Sequence, residues 1–574
     1  MDYTIKICGE AGQGIQTIGG TLSKVFSKTG YYVFTHQDYE SRIRGGHNFY
    51  QIRFSDKVIS ASREGIDILI SLDRAGIGLH EQELNKAGII VYDSEALRYS
   101  PDTKGPNHLD VPFESLALRH GGNKIMSNVV AVGSVLGMLG MDVEILLQII
   151  KDTFKKKGEA VIKANIDSAI AGYDYAVKNC PKCSFAVTAL EKPKLLINGV
   201  EAIGLGAISS GLKFYTAYPM TPSTGIMNFL SEKSREYGIV VEQAEDEVAA
   251  INMALGASFA GVRAMTGTSG GGFALMVEGL SLAGMTETPV VIALGQRPGP
   301  ATGFPTRTEQ ADLNFALYTA HGEFPRILFA PGSPEQAIYL TNKAFDLAEK
   351  YQVPAIILFD QYLADSEWTY ERLDLSGLRF NDYRLRSEKL KDIMEYKRHA
   401  FTDTGVTPLA IPGESKHLIV TDSDEHDENG HIVEDAETRV RMVEKRLLRK
   451  FPLIQGEIEP PILYGDSNAE IVFIGWGSTY GVIRECVDIL SSRFKTAMLH
   501  FSEIWPFPQT NKFDYLKILR EAKVTVCIEH NATGQFAGLM RRETGFVVSN
   551  GINRFDGRPF TVDDLLARIE EVIK

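Results

Sequence analysis

RAMTGTSGGGFALMVEGLSLAGMTETPVVIALG (Arg263–Gly295) decides the fold reading. A short β-rich run ends in three glycines. A helical stretch follows, and TPVVIALG then begins a second buried strand. This strand, glycine turn, helix and strand sequence is the grammar of an open α/β sheet. Loops at the carboxyl ends of such strands are where these sheets bind ligands. The same grammar recurs along the chain. YTIKIC, DILISL and GIIVYD read as strands near the start, and AEIVFIGWGS, FKTAMLHF and VTVCIEHN near the end. NVVAVGSVLGMLG reads as a helix with small residues on one face. The expected fold class is therefore α/β, with three open, mainly parallel α/β domains. Expected boundaries are 1–185, 196–366 and 461–574. Residues 367–460 form a polar linker or insertion, and KNCPKCSFAVTALEKPK links the first two domains.

Composition narrows the function class. The formal net charge of −13 argues against nucleic acid as a main partner. No run of 18 apolar residues is present, so no membrane span is expected. MDYTIKICGEAG leads directly into a strand and not into a secretory signal, so a cytoplasmic location is expected. The five cysteines, at positions 8, 180, 183, 486 and 527, fit neither a disulfide framework nor a complete metal set. Cys180-Pro-Lys-Cys183 reads as a short loop with two thiols. The acidic run TDSDEHDENG (Thr421–Gly430) reads as a solvated loop, with no metal assigned.

Several motifs carry candidate chemistry. In GEAGQGIQ (Gly9–Gln16), Gly9, Gly12 and Gly14 allow close backbone approach to a ligand, and the helix that follows favours an anion at its N-terminus. The spacing departs from GxGxxG, and a Rossmann NAD site remains an alternative. ESRIRGGHNF (Glu40–Phe49) sets Arg42 and Arg44 beside two glycines, which suits a phosphate or carboxylate, or else a hairpin turn with solvated arginines. In FYTAYPMTPSTG (Phe214–Gly225), Pro219 and Pro222 stiffen the chain on either side of Thr221. VEQAEDEVAAINMALGASFAG (Val241–Gly261) opens a helix with acids, as the helix dipole favours. From Glu247, the residues Ala250, Ala254 and Ala257 fall on one narrow apolar face, leaving a poorly solvated carboxyl at its edge. GQRPGPATGFPTRTEQADL (Gly295–Leu313) puts Arg297 and Arg307 in a Gly/Pro-rich loop suited to a carboxylate ligand.

Together YPMTPSTG, EDEVAAINMALGASFAG, TSGGGFALMVEGLSLAGMTETP, GPATGFPTRTEQADL and IEHNATGQ resemble the 2-oxoacid:ferredoxin oxidoreductases. The resemblance covers nearly the whole chain. It is to the alpha subunit with a gamma domain fused at its N-terminus, most like the 2-oxoglutarate:ferredoxin oxidoreductase layout. It implies a coenzyme A-related gamma domain followed by two transketolase-like domains, pyrimidine-type and C-terminal. The implied reaction converts 2-oxoglutarate and coenzyme A to succinyl-CoA, carbon dioxide and reduced ferredoxin. Pyruvate or a broad 2-oxoacid range remains open, as does a non-enzymatic scaffold role.

By the same resemblance, Thr221 contacts the substrate beside the cofactor and Arg307 binds the 2-oxoacid carboxylate. Glu247 hydrogen-bonds the aminopyrimidine of thiamine diphosphate, and Tyr218 and Pro219 line that cofactor. Arg297, Lys213 and Arg42 are candidates for a distal carboxylate. Coenzyme A is assigned to Arg42, Arg44, Gly12 and Gly14. GDSNAE at Gly465 lacks the pattern that holds a diphosphate and Mg²⁺, and five scattered cysteines do not form a four-cysteine cluster. The resemblance thus implies that thiamine diphosphate is shared with a beta subunit. That subunit carries Mg²⁺ and a [4Fe-4S] cluster, passes electrons to ferredoxin, and assembles as (αβ)₂.

Overall fold

The computed structural model describes residues 1–41, 45–101, 107–180, 183, 185–190 and 192–574. The chain divides into two compact units, one of residues 1–197, 365–373 and 561–567, the other of 198–364, 374–560 and 568–574.

The first unit is built on an eight-stranded sheet. Four strands run parallel at one side, in the order Asn107–Asp110, Leu84–Tyr92, Ile66–Ser71 and Asp2–Ala11. Beyond Asp2–Ala11 the sheet turns antiparallel through Gly45–Ser55, Tyr32–Asp38 and Glu367–Tyr370. Leu195–Asn198 lies beyond Glu367–Tyr370 at the edge, and three of the pairings are antiparallel. Its small-residue helix Ser127–Leu139 packs on Glu159–Asn179 at backbone contact. A Cβ on Gly133 would lie 2.1 Å from the Ala169 carbonyl oxygen, and one on Gly172 would lie 2.2 Å from that of Val130.

In the second unit two larger sheets share a core, beside a two-stranded one of Arg384–Leu385 and Leu409–Ala410. The seven-stranded sheet runs Glu503–Trp505, Ile327–Phe329, Pro354–Asp360, Val290–Gln296, Ala264–Ser269, Phe214–Ala217 and Val240–Gln243. It is parallel except for Glu503–Trp505. The five-stranded sheet runs Ile462–Gly465, Thr496–Phe501, Ile471–Trp476, Val524–Glu529 and Asn550–Asn553, parallel except for Ile462–Gly465.

The stretch read as a polar linker is more structured than its composition indicates. Glu367–Tyr370 joins the first unit's sheet beside Tyr32–Asp38, with Trp368 buried edge-on to Phe34 at 5.2 Å. Further along, Arg398, His399, Lys445 and Lys450 bury themselves around Glu287 in the second unit. Within the acidic run His426 is fully buried, its ring 4.0 Å from that of His399. The two rings are tilted 47° to each other, and His426 Nδ1 hydrogen-bonds the Asp424 carbonyl at 3.0 Å. Cys180 and Cys183 are joined as a disulfide, not left as two thiols. The connection that follows is tied to the first unit through Val187 N–H to Leu139 O and Leu190 N–H to Thr29 O. No helix among the described residues is long and apolar enough to cross a membrane.

Candidate functional site

The site in the second unit grows from the carboxyl ends of neighbouring parallel strands. Strand Phe214–Ala217 ends at Tyr218, which is exposed, and Pro219. The Ser223 hydroxyl donates to the Met220 carbonyl at 2.8 Å, and the helix Thr224–Tyr237 begins. Pro222 is buried against Gly295, where a Cβ would sit 2.6 Å from the Pro222 ring. The Thr221–Pro222 peptide is cis. Thr221 is half-buried between them, and its hydroxyl has no hydrogen-bond partner among the described residues.

Helix Glu247–Phe259 starts where Asp246 caps it, accepting the Ala249 N–H at 2.7 Å. Cap and helix leave Glu247 in the first turn, 3% exposed. Ala250 and Ala254 beneath it are fully buried. Small residues allow the approach of the next helix, Val277–Met285, since a Cβ on Gly279 would meet Ile251 at 2.7 Å. The glycine turn after strand Ala264–Ser269 closes over the carboxyl. A Cβ on Gly272 would stand 2.2 Å from Glu247 Oε1 and 2.1 Å from Thr268 Oγ1. Glycine is needed at this close approach. Among the described residues, buried Glu247 Oε1 and the Ser269 hydroxyl have no hydrogen-bond partner. Buried polar groups are nearly always partnered, so an unpartnered carboxylate here fits a ligand with a hydrogen-bond donor or a nitrogen that shares a proton.

Arg297 extends from the end of strand Val290–Gln296. Its Nη1 donates to the carbonyls of Thr221 at 3.0 Å and Pro305 at 3.5 Å, tying the proline turn to the Gly/Pro-rich loop. Its Nε and Nη2 make no hydrogen bond among the described residues. Burial lowers its pKa, and the Asp312 carboxylate opposes the shift. Arg307 lies in the same loop, its Cβ packed against Gly557. The structure thus joins Thr221 to Arg297 and sets Glu247 against the adjoining glycine turn. Lys213 stands before the opposite end of strand Phe214–Ala217, donating to the Tyr237 carbonyl at 2.8 Å, so it does not face the site.

Gln310 escapes a sequence reading based on charge. It is fully buried, and its backbone N–H donates to His530 O at 2.6 Å. Its Oε1 accepts the His530 N–H at 3.0 Å, and its Nε2 donates to Trp476 O at 2.8 Å. The site loop is thereby clamped to the second sheet. The clamp is backed by Glu529, which accepts from the Trp476 indole at 3.2 Å, from Asn531 Nδ2 at 2.8 Å and from the Phe536 N–H at 2.8 Å. The TEQ, GWGS and EHNATGQ strings interlock, a link visible only once the fold brings them together.

In the first unit the glycine turn opens into a cavity of about 360 Å³. Gly12, Gly14, Gln16, Tyr39, Glu10 and Glu40 line it. Gly12 and Gly14 have φ of 93° and 87°, and helix Ile15–Lys28 starts there with no side-chain cap. Arg42 and Arg44 lie outside the described residues. The Rossmann alternative fails on topology. Its second strand pairs parallel with the first, but here Gly45–Ser55 intervenes antiparallel between Asp2–Ala11 and Tyr32–Asp38.

Comparison with known proteins agrees with this architecture. Residues 205–445 match the family of pyruvate flavodoxin/ferredoxin oxidoreductases, thiamine diphosphate-binding. Residues 4–175 match pyruvate ferredoxin/flavodoxin oxidoreductase, and 469–565 match core domain II of pyruvate:ferredoxin oxidoreductase. The 2-oxoacid:ferredoxin oxidoreductase subunit alpha of a Sulfolobus species is 34% identical over 99% of this chain and 96% of its own. The 2-oxoglutarate oxidoreductase subunit KorA of Mycobacterium tuberculosis is 28% identical over 98% and 90%. The 2-oxoglutarate:ferredoxin oxidoreductase of Magnetococcus marinus, solved with 2-oxoglutarate, coenzyme A and succinyl-CoA bound, superposes with a TM-score of 0.90 at 30% identity, covering 100% of both chains. By sequence over its full length and by fold, the chain belongs to the 2-oxoacid:ferredoxin oxidoreductase family, as an alpha subunit.

Proposed function

We propose that this chain is the alpha subunit of an enzyme that oxidatively decarboxylates 2-oxoglutarate with coenzyme A, giving succinyl-CoA, carbon dioxide and reduced ferredoxin. The observation that carries the reading is the Glu247 carboxyl, buried and without a hydrogen-bond partner beside a glycine turn. Such a group fits the aminopyrimidine of thiamine diphosphate, whose ring nitrogen accepts a proton shared by the carboxyl. Bound there, the cofactor supplies the electron sink that lets the bond between C1 and C2 of a 2-oxoacid break.

Within this reading Glu247 holds or moves a proton at that nitrogen. The unpartnered Thr221 hydroxyl hydrogen-bonds the substrate next to the cofactor, with Tyr218 and Pro219 as neighbours. Arg297 and Arg307 bind carboxylates, Arg297 through N–H groups that make no hydrogen bond among the described residues. Coenzyme A is assigned to the Gly12–Gly14 cavity of the first unit, with Arg42 and Arg44.

A partner beta subunit completes the site with the diphosphate, Mg²⁺ and a [4Fe-4S] cluster, and passes electrons to ferredoxin, in an (αβ)₂ assembly. With Cys180 bonded to Cys183, only the buried Cys8, Cys486 and Cys527 remain, too few for a four-cysteine cluster. A broad 2-oxoacid range is the second reading, favoured by the Sulfolobus relative, which is named for 2-oxoacids generally. The deciding experiment reconstitutes the chain with its beta partner. Acyl-CoA formation is then measured with 2-oxoglutarate, pyruvate and branched 2-oxoacids. Preference for 2-oxoglutarate and no turnover by the chain alone are expected. Turnover by the chain alone would refute the two-subunit site.

A further inference from the structure

Thr268 is buried beside Glu247 with a hydroxyl that has no good acceptor. Strand Ala264–Ser269 pairs with Phe214–Ala217 up to the rung Thr266↔Thr216. Thr268 lies past that rung, where the proline turn leaves the sheet, and it is fully buried. Its hydroxyl points to the Met220 thioether at 4.0 Å and to the adjacent Ser269 carbonyl at 3.4 Å. Both are long, since a hydroxyl normally donates at about 2.7–2.8 Å, and a thioether is a weak acceptor. The gap left by Gly272 brings a stronger acceptor close. The point where a Cβ on Gly272 would stand is 2.1 Å from Thr268 Oγ1 and 2.2 Å from Glu247 Oε1. The two oxygens are therefore no more than about 4.3 Å apart, the sum of those distances. No hydrogen bond joins them in this structure, and Glu247 Oε1 has no partner among the described residues. A carboxyl turns easily about its terminal torsion, and a turn of that kind closes a gap of this size.

We propose that Thr268 is a positioning residue, whose hydroxyl donates to Glu247 Oε1 when the cofactor is seated and so fixes the direction in which the other carboxyl oxygen meets the aminopyrimidine nitrogen. The inference rests on the reading of Glu247 as the group that holds or moves a proton at that nitrogen. Leaving the Met220 sulfur and the Ser269 carbonyl gives up two long contacts. The bond gained is to a carboxylate, which is shorter and roughly twice as strong as a neutral one. Orientation is what a proton-transferring carboxyl needs most, because a small misplacement costs rate even where binding is unaffected. Gly272 belongs to the same device. The hydroxyl and the carboxyl oxygen meet across the space that its missing Cβ leaves empty.

The test uses the assembled complex with its beta partner. Thr268→Val keeps the shape and removes the hydroxyl, Thr268→Ser keeps the hydroxyl, and Glu247→Ala removes the acceptor. The three variants and the Thr268→Val/Glu247→Ala double variant are compared with the wild type. kcat and KM are measured for the best 2-oxoacid, and thiamine diphosphate affinity by calorimetry on the cofactor-depleted complex. Thr268→Val is expected to lower kcat about tenfold and to leave KM within about twofold, the loss of one hydrogen bond to a charged group felt in the reaction and not in substrate binding. Thr268→Ser is expected to restore kcat to within about threefold of the wild type. With Glu247→Ala already present, Thr268→Val should change neither kcat nor cofactor affinity further, because the partner it acts through is gone. Thr268→Ala replaces the valine variant if a thermal melt shows that the latter does not fold. Equal losses in Thr268→Val and Thr268→Ser, or losses that add fully to those of Glu247→Ala, overturn the proposal. Turnover unaltered by Glu247→Ala overturns the reading of Glu247 and the inference with it. A loss on Glu247→Ala with kcat unaltered in Thr268→Val overturns the inference alone.

Discussion

A buried carboxylate with no hydrogen-bond partner lowers the stability of the chain that carries it, by about 1–3 kcal/mol. Glu247 is such a group, so Glu247→Gln is expected to leave the melting temperature unchanged or to raise it. Activity of the assembled complex is expected to fall by about 10²–10⁴-fold, the range for loss of a group that moves a proton in the reaction. Paired thermal-melt and turnover measurements check this, and a large loss of stability would assign Glu247 to the core instead. Gly272→Ala acts on the same carboxyl from the other side. The added methyl would meet Glu247 Oε1 and Thr268 Oγ1 within 2.2 Å, so Glu247 must move and turnover should drop while the strand beneath stays folded. At this scale the sequence was informative because acid, glycine and proline each leave a chemical mark. Glu247, Thr221 and Arg297 could be nominated from residue type and spacing. Gln310 could not, because an uncharged side chain whose worth lies in two backbone partners has no pattern along the chain.

The elements of the second unit are held by polar anchors as well as by apolar faces. Gln310 fastens the site loop to the ends of strands Ile471–Trp476 and Val524–Glu529. Gln310→Leu keeps the volume and strands the buried His530 N–H, for a cost of about 1–3 kcal/mol, while the Trp476 carbonyl keeps the Thr479 hydroxyl. Denaturant unfolding should show the loss. Glu287 anchors the segment after residue 374. Its backbone is strained, with φ of 51°, and its carboxylate accepts Lys445 Nζ at 2.5 Å and Lys450 Nζ. Burial alone would raise this carboxyl, but the two ammonium groups outweigh it and hold it well below the usual range. A carboxyl depressed on folding adds stability above its unfolded pKa, and that stability is lost as pH falls towards the folded value. Glu287→Gln removes the anion and leaves two buried ammonium groups, so about 3–5 kcal/mol should be lost at neutral pH, with a smaller difference from the wild type in strong acid. The strands were legible because parallel buried strands are short apolar runs. The anchors were not, because Glu287 and Lys445 lie 158 positions apart and each alone looks like surface charge.

Across the whole molecule the chain crosses between its two units more than once, since residues 365–373 and 561–567 belong to the first. The polar composition of 367–460 concealed this. A four-residue strand near the sheet's edge needs only one or two apolar side chains, and Trp368 supplies the buried one. Its neighbours are bound through side chains of the first unit. The Thr35 hydroxyl accepts the Glu367 N–H at 2.8 Å, and the Tyr50 hydroxyl donates to Glu367 at 2.7 Å. Residues 1–197 expressed alone therefore lack a strand that covers Tyr32–Asp38. That strand's edge is left open to pairing with other chains, a standard route to association. The fragment is expected to self-associate and to melt below a version in which residues 365–373 are fused after residue 197 by a flexible linker. Placing Ala at Trp368 in the fused version should return it to the behaviour of the shorter fragment. Light scattering and thermal melts of the three proteins make the comparison. A monomeric 1–197 fragment as stable as the fused version would show that the first unit closes without the returning strand.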